Sequence, residues 1–285
     1  MRNKHSRRWR GASSAFGAIK HALMAIMSAF MIGPLIWILL GSVKTEEMIR
    51  RYPPVLFPDA VTFEHYVYSF GSQSLFRFVG NSIGIAVCVT LVGVAAAAMC
   101  AYVFSRYSFR GKGFFIGVVL FPMLIPGICN LIPIYSVYAR MGLINNFPAL
   151  VLLYVPGMLP FSIWVLRNYF DCVPVQLEEA AMIDGCTKAQ VLGHVVLPVA
   201  LPGLLAVSII GFVGAWNEFL LPLIFTSENN VRPITIGLYN LIGFKSVKYG
   251  SINAVAVTAV LPVVVLFLIF RKQFISSMIE GAIKG

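Results

Sequence analysis

Charge is what this 285-residue sequence most lacks. Only 12% of it is Asp, Glu, Lys or Arg, against about a quarter in soluble domains, which excludes an ordinary water-soluble globule. Acid is scarcer than base, 11 residues against 22. The formal charge of +11 suggests no nucleic-acid partner, because long uncharged runs separate the basic residues and a phosphate backbone needs a continuous basic face. Cysteine is sparse as well: Cys88, Cys100, Cys129, Cys172 and Cys186 are odd in number and form no CxxC pair. They argue against a disulfide framework or a zinc site and read as small packing residues. HExxH and GxxxxGK[ST] are missing, Gly111-Lys112 has neither the upstream glycine nor the following hydroxyl, and the one GxSxG spacing, Gly80-Asn81-Ser82-Ile83-Gly84, falls inside a long uncharged run rather than at a strand-to-helix turn. These features exclude the corresponding hydrolases, and no catalytic residue, metal ligand or cofactor site is expected.

What the sequence has instead is length without charge. Charged residues are separated by runs of 23 (21–43), 28 (78–105), 27 (113–139) and 26 residues (141–166), each longer than the ~20 that cross a hydrocarbon core. A fifth run, 189–217, is interrupted only by His194, and a sixth, 249–270, ends at Arg271-Lys272. The stretch from Leu91 to Met99 is continuously apolar, unlike the alternating strands of a membrane barrel. The expected fold is an all-α integral membrane protein. Its six transmembrane helices are expected near 21–43, 78–105, 113–138, 147–166, 204–226 and 250–270, with tails at 1–20 and 271–285.

Positive loops stay on the cytoplasmic side. With the N-terminus inside, the inner segments hold 14 Lys and Arg and the outer ones eight. Both termini are therefore expected in the cytoplasm. The first span has the basic flank of a signal peptide, but its apolar run is long and no small-residue cleavage site follows, so an uncleaved anchor is expected.

Polar residues inside spans are candidates for a solute pathway. Glu218, in Trp216-Asn217-Glu218-Phe219, is the one acid expected at membrane depth, where an ionisable group faces a cavity or a partner. A structural hydrogen bond to a neighbouring helix explains it equally well. Trp216, Phe219 and Phe225 form either a sugar-stacking surface or an interfacial aromatic belt, with the belt favoured. Asn81 and Asn130 are further pathway candidates, although a helix–helix hydrogen bond suits each better. A single acid cannot divide acid and base roles with a partner, which excludes a membrane enzyme. A secondary transporter calls for internal repeats or several intramembrane charges, and neither is present.

The loop at 171–203 is the most informative stretch. Pro174 suits a first helical position and Gly185 the left-handed residue that ends a helix. Thr187 and Gln190 have capping-box spacing, restarting a helix that is expected to run to Val196 before Pro198 and Pro202 stop it. Leu177, Ala180 and Ala181 fall on one small apolar face beside Glu178 and Glu179, both expected to be exposed. Such a knob fits a groove on another protein. An amphipathic interfacial loop is the plainer alternative. A DNA-binding helix-turn-helix is excluded by the tether to spans at both ends and by only Lys188 and His194 as basic groups.

Glu179-Ala180-Ala181, then Gly185 after three residues, then Val195-Val196-Leu197-Pro198 after nine more, resembles the EAA loop of bacterial ABC-importer permeases, with Val in place of Ile at 195. The resemblance extends over most of the chain, toward the second membrane subunit of carbohydrate importers, the maltose-transporter MalG type. It is carried by Ser42-Val-Lys-Thr-Glu-Glu47, Pro53-Pro54, Asn81-Ser82, Ala101-Tyr102, Ser105-Arg106-Tyr107, Ile132-Pro133-Ile134-Tyr135, Trp216-Asn217-Glu218-Phe219 and Gly281-Ala-Ile-Lys-Gly285. It implies a multi-pass protein of the bacterial cytoplasmic membrane. The partners implied are a second homologous permease, a dimeric ABC ATPase that uses the ATP and magnesium, and an external solute-binding protein. The residues implied to couple to the ATPase are Glu178, Glu179, Ala180, Ala181, Asp184, Gly185, Leu197 and Pro198, with Glu179 pairing with a basic ATPase residue. The tail 273–285 resembles tails that contact the ATPase, and the loop 228–249 resembles one that reaches the binding protein. The implied function is alternating-access import of a carbohydrate; a glycerol-phosphate or polyol permease is the alternative.

Overall fold

The computed structural model describes residues 3–72, 75–242 and 247–283. Within a bilayer every backbone N–H and C=O must be satisfied inside its own segment, and the apolar runs accordingly form helices. In chain order these are α1 (Asn3–Gly41), α2 (Glu46–Arg50), α3 (Glu64–Ser72), α4 (Leu75–Arg106), α5 (Lys112–Leu120), α6 (Leu131–Arg140) and α7 (Phe147–Asp171). The chain continues through α8 (Val175–Ile183), α9 (Lys188–Val191), a π-helical turn (Leu192–Val196), α10 (Leu197–Val199), α11 (Leu201–Asn217), α12 (Leu220–Phe225), α13 (Ile234–Asn240) and α14 (Tyr249–Ile283). Among the described residues the only β pairing is an isolated bridge between Ile242 and Val247.

Among the described residues four helical stretches are long and apolar enough to cross a membrane: Ile19–Gly41, Leu75–Arg106, Phe147–Asp171 and Tyr249–Arg271. Two bent pairs bring the count to as many as six. This is a multi-pass membrane protein. The third expected span, 113–138, is not one helix. Lys112–Leu124 and Gly127–Arg140 meet at 95°, because Pro122 and Pro126 remove two backbone donors in a row of turns and the chain passes through short 3-10 segments instead.

The fifth expected span, 204–226, is also divided. α11 stops at Asn217, Glu218 is extended, and α12 starts afresh at Leu220. Before it, Lys188–Val199 and Leu201–Asn217 meet at 83°. Pro198 and Pro202 do not end a helix as expected. Each lies in the first turn of a new segment, α10 and α11, where a missing N–H costs no hydrogen bond.

The chain forms two compact units, 1–72 with 241–258 and 73–240 with 259–285. In the first, Lys44 is buried, its Nζ donating to the Val55 carbonyl (2.5 Å) and lying 5.1 Å from the centre of the Trp37 ring. His65 Nε2 bonds the Lys44 carbonyl at 2.7 Å, and the Gly250 N–H donates to Glu46 Oε1 at 2.9 Å. Side chains of Ile19–Gly41 are almost wholly exposed, an apolar surface suited to lipid.

The second unit is built on α4 packed against α7 and α11. Ala97, Ala98 and Ala101 let α4 approach closely and form one core cluster with Leu166, Phe170, Val191, Val196 and Val207. A second cluster joins Ile85, Val89, Leu150, Tyr154 and Phe225. Gly203 of α11 lies flat on Tyr169 of α7: a Cβ there would meet the ring Cγ at 2.5 Å.

Candidate functional site

Three local devices build the loop between α7 and α11. Pro174, extended and without an N–H, is the N-cap of α8, one residue before the expected position. α8 closes on Gly185 (φ 90°), whose N–H reaches the Met182 carbonyl (3.1 Å) while Cys186 N–H reaches that of Ala181 (3.0 Å). This is a Schellman turn, and its left-handed residue favours glycine. Thr187 N–H then donates to Gln190 Oε1 (2.8 Å) and Gln190 N–H to Thr187 Oγ1 (3.4 Å), a capping box that starts α9.

The two faces of α8 differ sharply. Leu177, Glu179, Ala180, Asp184 and Gly185 are exposed, and Ile183 is 86% exposed. Ala181 and Leu197 pack part-way into the first core cluster, while Pro198 is exposed. Glu178 departs from expectation. It is 4% exposed, accepting from Arg106 Nε (2.5 Å) and from the Tyr102 hydroxyl (2.8 Å). The same guanidinium donates through Nη2 to the Val173 carbonyl (2.9 Å). Helical periodicity turns Glu178 inward with Ala181, three residues on, and a buried carboxylate then requires a cation. Nearby, Ser105 Oγ donates to Asp171 Oδ1 (2.5 Å), and Lys188 Nζ sits 4.9 Å from the centre of the Tyr107 ring.

A cavity of about 340 Å³ opens between α4, α7 and α11, lined by Val89, Tyr154, Met158, Ser162, Gly211 and Glu218 among others. Glu218 Oε1 also accepts the N–H groups of Leu220 and Leu221 (2.9 and 3.1 Å), which caps α12. Its hydrogen bonds thus go to the turn that follows it rather than to a neighbouring helix, and its side chain faces the cavity. Among the described residues no group of His, Cys, Asp and Glu is placed to hold a metal ion.

Residues 90–279, two thirds of the chain, match the family described as binding-protein-dependent transport system inner membrane component. The chain belongs to this family. Similar proteins include the sulfoquinovosyl glycerol transport system permease SmoH of Agrobacterium fabrum, 32% identical, with 96% of this chain and 97% of that protein covered. The trehalose/maltose transport system permease MalG of Thermococcus litoralis is 33% identical, with 92% and 94% covered. In fold, the chain resembles a bacterial ABC transporter involved in import of the acidic polysaccharide alginate, with a TM-score of 0.81 at 21% identity over 92% of this chain and 98% of that one.

In this transport component, Glu218 alone of the five pathway candidates lines the cavity. Asn81 Nδ2 donates to the carbonyls of Asn230 (2.9 Å) and Arg232 (3.0 Å), a bond to a loop rather than to a helix. Asn130 is exposed at the end of a 3-10 turn, and Asn217 is exposed at the end of α11. Trp216 and Phe225 do not form an interfacial belt. Trp216 is 2% exposed, donates Nε1 to the Ala259 carbonyl (3.1 Å) and stacks on Phe212; Phe225 is buried against Tyr135 and Tyr138. Tyr154, Ser162 and Met158 escaped the sequence reading because apolar and hydroxyl residues inside a span carry no signal of which way they face. Arg106 escaped it too, although one buried glutamate demands one buried cation. Within the C-terminal stretch the helix runs to Ile283, and residues 284 and 285 lie outside the described residues, as do 243–246 of the loop 228–249.

Proposed function

We propose that this chain is one permease subunit of an ATP-driven importer, passing a carbohydrate from an external solute-binding protein across the cytoplasmic membrane by alternating access. The observation that carries the reading is α8: its motif residues Glu179 and Ala180 stand exposed on a helix anchored from behind. The chain has no phosphate-binding loop of its own. Energy from ATP and magnesium would therefore arrive through a dimeric ATPase seated on this knob, with a second homologous permease completing the membrane domain. Ala180 allows close approach, Gly185 supplies the turn, and Glu179 presents a charge to a basic ATPase residue. Asp184 extends the acidic edge, while Leu197 and Pro198 carry the loop back toward the membrane. Carbohydrate as the solute class is supported by relatives named for sulfoquinovosyl glycerol and for trehalose and maltose. Both termini and the coupling loop face the cytoplasm in this scheme, as the Lys and Arg distribution favours.

The assembled importer, reconstituted in proteoliposomes with ATP inside and the loaded binding protein outside, tests the reading. Glu179→Ala is expected to abolish most sugar uptake together with binding-protein-stimulated ATP hydrolysis. Wild-type uptake and stimulation in that variant would refute the docking role.

A further inference from the structure

We infer that α4 is the element that carries motion through this permease, joining the coupling loop at one end to the loop Asn230–Ile234 at the other through hydrogen-bonded anchors. The inference rests on the reading of α8 as the ATPase docking surface. By chain connectivity alone, a displacement of α8 would pass into α7 and α11, to which the loop is covalently joined. The side chains route it elsewhere.

At the loop end, the Arg106 guanidinium holds the Glu178 carboxylate of α8 and the Val173 carbonyl just before α8, while Tyr102 holds the second carboxylate oxygen. Arg106 and Tyr102 both belong to α4. A planar fork bonded at two points fixes direction as well as distance, so α8 cannot rotate on α4 without breaking charge-assisted bonds in a buried setting. Lys188, over the Tyr107 ring, ties the second loop helix to the residue that follows α4. At the far end, Asn81 holds the Asn230 and Arg232 carbonyls, Ser82 Oγ accepts the Ile234 N–H at 2.8 Å, and Phe78 packs on Gly237 of α13.

α4 is one uninterrupted helix of 32 residues without proline, and at 1.5 Å per residue it sets Ser82 and Arg106 about 36 Å apart. Its neighbours are not so built: α7 contains Pro156 and Pro160, and the α5–α6 and α9–α11 paths bend by 95° and 83°. An unbroken helix transmits a displacement that a bent or proline-bearing path absorbs. Val89, part-way along α4, walls the cavity, so the same motion reshapes it.

The experiment measures ATP hydrolysis by the whole importer in nanodiscs, basal and stimulated by the solute-loaded binding protein. Arg106→Gln keeps an amide that donates to the Glu178 carboxylate but removes the charged fork. The complex is expected to unfold at a lower temperature, because the buried Glu178 loses its cation, but to keep basal hydrolysis per assembled complex and to lose about tenfold in stimulation, a change within the range of coupling between sites. Arg106→Lys is expected to recover part of that loss. Ser82→Ala is expected to lower stimulation about threefold, and the double variant to fall no further than Arg106→Gln alone, because one break in a series already interrupts it. Wild-type stimulation in Arg106→Gln, or a double variant showing the product of the two single losses, would overturn the inference. Should Arg106→Gln not assemble, Tyr102→Phe decides in its place: reduced stimulation supports the route and unchanged stimulation overturns it. A wild-type complex that shows no stimulation at all fails on the underlying docking reading instead.

Discussion

Glu178 and Glu179 are adjacent and chemically identical, yet they do opposite things. One is buried on a guanidinium and a phenol, the other stands in solvent. Helix geometry separates them, since a 100° step carries successive side chains from the packed face of α8 to the open one. Breaking a buried pair from one side leaves an uncompensated charge. Glu178→Ala is therefore expected to destabilise the folded chain by about 3 kcal/mol, whereas Glu179→Ala is expected to leave stability within about 0.5 kcal/mol, as surface substitutions do. Thermal unfolding of the two purified variants checks this; equal losses would contradict the assignment of faces. The sequence grouped the two residues together because α8 was weighed by its exposed face and Arg106 entered within Ser105-Arg106-Tyr107 of the family resemblance, with no partner assigned to it.

At the scale of elements, the apolar runs were legible and their interruptions were not. A run without charge reports that a segment tolerates hydrocarbon, but says nothing about its straightness. Pro122, Pro126 and Gly127 stand together in the third run and turn it by 95°. Pro198 and Pro202, which looked like terminators, instead open new segments, with the π-helical turn Leu192–Val196 just before them. The turn chemistry of the loop between α7 and α11, by contrast, is written locally: Gly185 adopts a positive φ and Thr187 with Gln190 makes the box. Where helices touch, the same locality fails. At Gly203 of α11 the close neighbour is the Tyr169 ring of α7, whereas at Gly211 it is the flexible end of Met158 and at Gly214 there is none. Gly203→Ala is expected to cost about 1–3 kcal/mol through overpacking, read as a lower unfolding temperature; Gly214→Ala, with open space around it, is the control and is expected to leave that temperature unchanged.

For the whole molecule, orientation rests on the 14 to eight division of Lys and Arg between the two sides. The expected outcome is that tags at both termini are protected from protease added to intact cells and are digested in inverted vesicles. Accessibility of either tag from outside would reverse the scheme and with it the placement of the coupling loop. Family membership makes the chain an inner membrane component of a binding-protein-dependent transport system. The uncovered apolar surface of the Ile19–Gly41 stretch agrees with lipid or protein around it.

The sequence alone determined what depends on composition and on neighbours along the chain. A membrane solvent follows from the rarity of charge, helices from the need to satisfy the backbone within each run, and the form of the loop between α7 and α11 from caps and turns that operate within four or five residues. Only the tertiary structure decided which polar side chains meet. That Arg106 finds Glu178, that Asn81 bonds the loop at Asn230 and Arg232, and that Glu218 shares a cavity wall with Val89 are facts of packing between segments about 70 to 150 residues apart, a distance over which local periodicity carries no information.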